Sequence, residues 1–176
     1  MLGAAGALVC LAAGTAIGSR MRMQRMERLH LLRAETDVLN AMRLMLEQEK
    51  PPLADLLEAC AVYARGGESS VLLSKRLRIT AGEMRRKPLE NPSDAYAFAC
   101  AQTAMPWEQD DEKTAMESLF AQLGVGTASM REQAAAACIR RLRPLCEKTQ
   151  AEAEKGGRLC MQLGMLLGLM AGILLW

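Results

Sequence analysis

Residues 1–19 and 159–176 contain no Lys, Arg, Asp or Glu, and all 22 basic and 20 acidic residues fall between them. An uncharged apolar end of that length has few destinations. At about 1.5 Å per residue each end makes a helix of roughly 27–28 Å, close to the hydrocarbon thickness of a bilayer. The pattern predicts a membrane-spanning helix at 1–19, a second at 159–176, and a charged domain at 20–158.

Each end has a simpler alternative. The first could be a signal peptide cut near Ala16 and Gly18. A signal peptide carries its positive charge before the apolar run, whereas Arg20, Arg22, Arg25 and Arg28 follow it here. The second could be a buried core helix, yet its Gly, Leu, Met and Ala leave no polar face. A retained anchor and a second span are expected.

Orientation follows from the cations. The four arginines flank the first span, and Arg140, Arg141, Arg143, Lys148, Lys155 and Arg158 precede the second. Cytoplasmic flanks carry the excess of Lys and Arg. The middle is therefore expected in the cytoplasm, as a head held in the cell membrane by two anchors. Cys10, Cys60, Cys100, Cys138, Cys146 and Cys160 include no CxxC pair. Small thiols in a reducing compartment account for them better than a zinc site.

The middle reads as helices throughout. Leu32, Thr36, Leu39, Met42 and Leu46 keep a 3–4 spacing over 26–48, and this helix is expected to continue straight from the first span. Pro51-Pro52 ends it. A second helix places Leu53, Leu56, Leu57, Cys60 and Ala64 on one side, and Gly66-Gly67 stops it. A third covers about 68–87, halting at Pro88. Asn91-Pro92 is a helix start with Asn91 as cap, and that fourth helix ends before Pro106. Asp110, Asp111 and Glu112 open a fifth, where negative charge suits the helix dipole. Met116, Leu119, Phe120 and Leu123 form its inner face, and Gly124-Val125-Gly126 closes it. From about Thr127 a long helix runs toward the second span, with Pro144 and Gly156-Gly157 as candidate bends. The fold class is all-α, a cytosolic helical bundle flanked by transmembrane helices.

Chemical motifs are sparse. Histidine occurs once, as His30, with no acidic or cysteine cluster in sequence to make it a ligand or a base. Gly124-Val125-Gly126-Thr127-Ala128-Ser129 lacks the third glycine of GxGxxG, no strand precedes it, and there is no GxxxxGK[ST]. Helix-dipole complementarity explains Asp110–Glu112 better than a metal does. Glu147, Glu152 and Glu154 alternate with Lys148 and Lys155 as on a solvated helix face. A net charge of +2 with 3% aromatic residues argues against a nucleic-acid surface. No catalytic residue, cofactor or metal ligand is expected, and the head should neither bind nor hydrolyse ATP alone.

Glycine spacing stands out instead. Gly164, Gly168 and Gly172 put two overlapping GxxxG motifs in the second apolar end, and Gly14 and Gly18 supply one in the first. Lipid does not drive helices together hydrophobically, so small residues that let two backbones approach become packing surfaces. These five glycines are the candidate helix-packing residues, for each other or for partners.

These residues together resemble the stage III sporulation protein AB family of endospore-forming bacteria over nearly the whole chain. The resemblance rests on Met1-Leu2-Gly3, Gly14 to Gly18 and the arginines after it, on Leu31-Leu32 with Glu35, and on Pro52-Leu53. It extends through Val125-Gly126-Thr127-Ala128-Ser129 with Gln133, and through Leu163-Gly164, Gly168-Leu169 and Ile173-Leu174-Leu175. Ser129 stands where that family typically has Asp; either residue can cap a helix. The resemblance implies a membrane component of the sporulation channel between mother cell and forespore, located in the mother-cell membrane. It also implies a soluble part similar in fold to the helical domains of the type II secretion and type IV pilus platform protein. The implied partners are a cytosolic ATPase, the stage III sporulation protein AA, and other channel membrane proteins, with homo-oligomers possible. A two-span scaffold unrelated to secretion, and a tethered enzyme or regulator completed by a partner, remain as other classes.

Overall fold

The computed structural model describes the backbone of residues 2–48, 51–88 and 91–174, and the side chains of residues 19–20, 22–48, 51–88 and 91–154. Six α-helices follow one another: α1 (Leu2–Gln48), α2 (Leu53–Cys60), α3 (Gly67–Arg86), α4 (Pro92–Gln102), α5 (Asp110–Leu123) and α6 (Ala128–Leu174). No strand occurs among the described residues. The chain divides into two compact units, one of Glu27–Glu147 and one of Met1–Met26 with Lys148–Trp176. The first is called the head below.

The all-α reading holds, and α1 runs unbroken from Leu2 as expected. Among the described residues no helix is long and apolar enough to cross a membrane. The side chains of the two predicted spans, apart from Ser19, lie outside those residues, and so do the packing surroundings of Gly14, Gly18, Gly164, Gly168 and Gly172.

Within the head, α3 packs against α2 and α4, and α4 against α5. The core joins the stripe of α1 to Leu53, Leu56 and Leu57 of α2, Leu73 and Leu77 of α3, and the inner face of α5, with Ala135, Cys138 and Leu142 from α6. Each fully buried leucine contributes about 1.5–3 kcal/mol. The α1 stripe is wider than the sequence suggested. Leu31, Ala34 and Val38 are buried with Leu32, Leu39, Met42 and Leu46, while Thr36 is only half-buried and donates its hydroxyl to the Leu32 carbonyl. Ala64 lies beyond α2: a 3₁₀ turn over Ala61–Tyr63 redirects the chain, and Ala64 is extended.

Helix starts follow the local chemistry. The Asn91 side chain accepts from the Ser93 N–H at 3.3 Å ahead of Pro92. At α6 the cap is Thr127, whose hydroxyl accepts from the Met130 N–H at 3.4 Å. Ser129, the residue at the resemblance's Asp position, sits exposed inside the first turn rather than at the cap. A short side chain such as serine reaches the free N–H groups from the position before the first helical residue, which is Thr127 here.

Gly67 opens α3 at φ 56°, and a Cβ there would come 2.8 Å from Glu27 Oε2. That same oxygen accepts the Ser69 N–H at 3.1 Å, so α1 caps α3 from outside. Gly67→Ala is expected to lower stability by about 1–2 kcal/mol through the left-handed backbone and the displaced carboxylate. Gly82, inside α3 one turn from its end and with nothing within 4 Å of a new Cβ, is the control. Gly82→Ala should stabilise by about 0.5–1 kcal/mol. Urea unfolding of the full chain in detergent checks both, and equal effects would count against the assigned backbone at Gly67.

Candidate functional site

The most concentrated polar chemistry among the described residues is inside the head. Arg76 projects from the same face of α3 as Leu73, Leu77 and Thr80 and is buried. A guanidinium has five N–H donors, and all five are used. Nη1 and Nη2 donate to the two oxygens of Glu108 at 2.6 and 2.8 Å. Nε donates to the Thr103 hydroxyl at 3.0 Å and Nη2 to the Thr103 carbonyl at 2.9 Å. Nη1 also reaches the Tyr96 hydroxyl oxygen at 3.3 Å. The Thr103 hydroxyl in turn donates a hydrogen bond to the Ala99 carbonyl at 2.7 Å. The Tyr96 ring stacks on Phe120, with centroids 4.0 Å apart.

The segment after α4 makes this possible. The chain leaves helix at Thr103, and its last helical carbonyls and the loop to α5 deliver Thr103 and Glu108 around the guanidinium. Burial pulls the Arg76 pKa down, but the hydrogen bond to Glu108 and the surrounding negative potential more than offset it, so the cation is held firmly protonated. Burial pushes the Tyr96 hydroxyl well above its ordinary range, with Arg76 opposing.

A second ion pair ties α1 to α5. Arg28 Nε donates to Glu112 Oε1 at 2.6 Å, and Glu112 Oε2 accepts the Gln109 N–H at 3.1 Å, closing the start of α5. The helix-dipole account of Asp110, Asp111 and Glu112 is therefore incomplete. Asp110 and Asp111 are exposed, whereas Glu112 is fully buried and paired across 84 positions. Its carboxyl is raised by burial, against the Gln109 and Arg28 hydrogen bonds.

Glu35, on α1, has no such compensation. It is fully buried, and neither carboxylate oxygen has a hydrogen-bond partner. Burial, then the charges of Glu108 and Glu112, hold its pKa well above the carboxylate range, with Arg76 opposing. A protonated, neutral carboxyl is the form that such a setting favours.

Other candidates stay apart from this cluster. His30 is half-buried beside Gly66. Cys60 and Cys138 are free thiols pushed up to about 12 by burial, which makes them poor nucleophiles. Among the described residues no group of three His, Cys, Asp or Glu could hold a metal ion. A cavity of about 430 Å³ borders Arg76 and Glu108, walled by Ala97, Ala101, Ala104 and Met105. Arg76 commits every donor to its own partners, so the arrangement fixes the helices rather than presenting charge to a substrate.

A family model for stage III sporulation protein AB matches residues 3–176. The chain belongs to that family. No curated protein and no solved structure matches significantly. Membership of the stage III sporulation protein AB family gives the chain a role in sporulation.

The family was legible in the sequence, whereas the polar cluster joins distant positions and was not. A signal was present. Arg76 stands in phase with Leu73, Leu77 and Thr80, and Glu35 in phase with Leu31, Leu32 and Leu39. A charge on an apolar stripe marks a buried ion pair or a neutralised acid.

Proposed function

We propose that the chain is a non-enzymatic membrane component of the channel between mother cell and forespore. Its head links a cytosolic secretion-type ATPase, of the stage III sporulation protein AA kind, to the membrane-embedded machine. The observation that carries this reading is the pairing of a compact helical head, Glu27–Glu147, with two long helices whose outer ends are uncharged. Such a chain holds a rigid body at a bilayer. The arginines after the first uncharged stretch and the cations before the second favour the cytoplasm for that body, where an ATPase can meet it. Arg76 and Glu108, and Arg28 and Glu112, satisfy one another inside the head, which suits a coupling part better than a catalyst.

The glycines supply the test. In a Gly164→Leu, Gly168→Leu, Gly172→Leu variant the helix should still insert, because leucine favours the bilayer. Helix approach should be blocked. Each lost contact is worth about 1–2 kcal/mol or less, and about 1.4 kcal/mol is a factor of ten. Co-purification of the ATPase and channel proteins, and spore counts, should therefore fall by about tenfold or more. Leu167→Ala with Leu174→Ala, off the glycine face, should be milder. Unchanged co-purification and normal spore counts in the triple variant would overturn the assembly reading. A null strain that sporulates normally would overturn the function as a whole.

A further inference from the structure

Four of the large exposed apolar side chains of the head gather around the 3₁₀ turn after α2. Leu44, Val62, Tyr63 and Val71 are 55%, 60%, 43% and 66% exposed. They line two grooves. One, of about 580 Å³, runs between the turn and α3, floored by Ala61, Val62, Val71 and Ile79 and edged by Lys75 and Arg78. The other, of about 490 Å³, runs between the turn and α1, with Leu44 and Tyr63 in its wall and Arg65 and Asp37 at its edge. Val62 and Tyr63 are consecutive, so the turn is the shared ridge.

The charges on this face are unspent. Among the described residues Lys75, Arg78 and Arg65 have no carboxylate within ion-pairing distance, whereas elsewhere on the head Arg85 and Arg43 each have two and Lys113 has one. Among the described residues Asp37 is the sole acid lining either groove.

We propose that this face docks an amphipathic helix of a protein partner, one whose apolar stripe is edged by Asp or Glu. The grooves accept side chains spaced along a helix, and the three cations meet the acidic edges. A second copy joined by two-fold symmetry would bring together two faces that each carry three cations, Lys75, Arg78 and Arg65, against one acid, Asp37. An anionic lipid surface would attract the same three cations, but it offers no side chains to the two hollows on either side of the turn. The proposal names a partner by chemistry and stands whether or not that partner is the ATPase.

The test uses the full chain in nanodiscs of zwitterionic lipid. The probe is a fluorescent Leu/Glu amphipathic peptide of about five helical turns, compared with a Leu/Lys counterpart. The Leu/Glu peptide is expected to bind, and Val71→Glu or Lys75→Glu with Arg78→Glu to weaken it by about tenfold or more. The Leu/Lys peptide should bind only the charge-reversed protein. Val125→Glu, at an exposed position elsewhere, should change nothing, and unfolding midpoints should match for all variants because every altered side chain is exposed. Equal binding of both peptides would overturn the proposal. So would a fluorescent residue at Val71 that responds to phosphatidylglycerol nanodiscs without peptide, which would assign the face to lipid. A concentration-dependent dimer abolished by Val71→Glu would assign it to a second copy. Loss of peptide binding with the ATPase still retained at the membrane would separate this face from the ATPase link.

Discussion

An Arg76→Ala variant is expected to lose about 3–5 kcal/mol of stability, the usual cost of removing one partner from a buried ion pair. The loss has a specific source. Glu108, 8% exposed, would keep its charge with no cation beside it, and the Thr103 carbonyl and Tyr96 hydroxyl would lose their donor. Domains of this size are stable by about 5–15 kcal/mol, so the variant should be close to unfolding at growth temperature. Arg76→Lys should recover only part, because an ammonium cannot span both oxygens of Glu108 and Thr103 together. Arg76→Met with Glu108→Leu should recover most, since apolar groups of similar volume leave no buried charge behind. Urea unfolding of the four proteins checks the order. A loss below about 1 kcal/mol in Arg76→Ala would show that Glu108 simply turns out to solvent.

The second large effect concerns Glu35 and pH. In the unfolded chain its carboxyl titrates near the ordinary 4.5, and in the head well above it. Between those values the unfolded chain has released a proton that the head still holds, so raising the pH favours unfolding. The contribution is fully present below the ordinary value and is lost as pH rises through the folded one. Glu112, also raised, acts in the same direction. The head should therefore be more stable at about pH 5 than at about pH 8. Glu35→Gln should flatten most of the slope and leave the Glu112 part. Glu35→Met should gain about 1–3 kcal/mol at the higher pH, the cost of an unsatisfied buried polar group. Denaturation midpoints at the two pH values decide it. A slope that survives Glu35→Met unchanged would show that another group carries it.

The elements were legible in the sequence because their boundaries are local. Pro52, Gly66-Gly67, Asn91-Pro92 and Gly124-Val125-Gly126 act through φ restrictions and caps that span a few residues. The order of the helices and the α5 face of Met116, Leu119, Phe120 and Leu123 followed from them. The polar cluster was not legible, because its pairs join positions 27, 32 and 84 apart and no short-range pattern links them. The α1 stripe was read too narrow for a related reason. Several helices wrap α1 within the head, so residues beside the 3.6-period stripe, such as Leu31, Ala34 and Val38, are also covered. Ser129 misled through resemblance alone: it lies past the cap, already inside the helix.

The core takes side chains from both ends of the head, with Leu31 and Met42 on α1 in one cluster with Leu142 on α6. During synthesis the first and last of these appear about 110 residues apart, which at about 5–20 residues per second is roughly 6–20 s. A helix forms in about a microsecond. The α1 stripe is thus made seconds before α6 exists to complete its cover. For those seconds the nascent chain exposes apolar surface that the finished head buries, so the risk of aggregation falls on the chain while it is still being made.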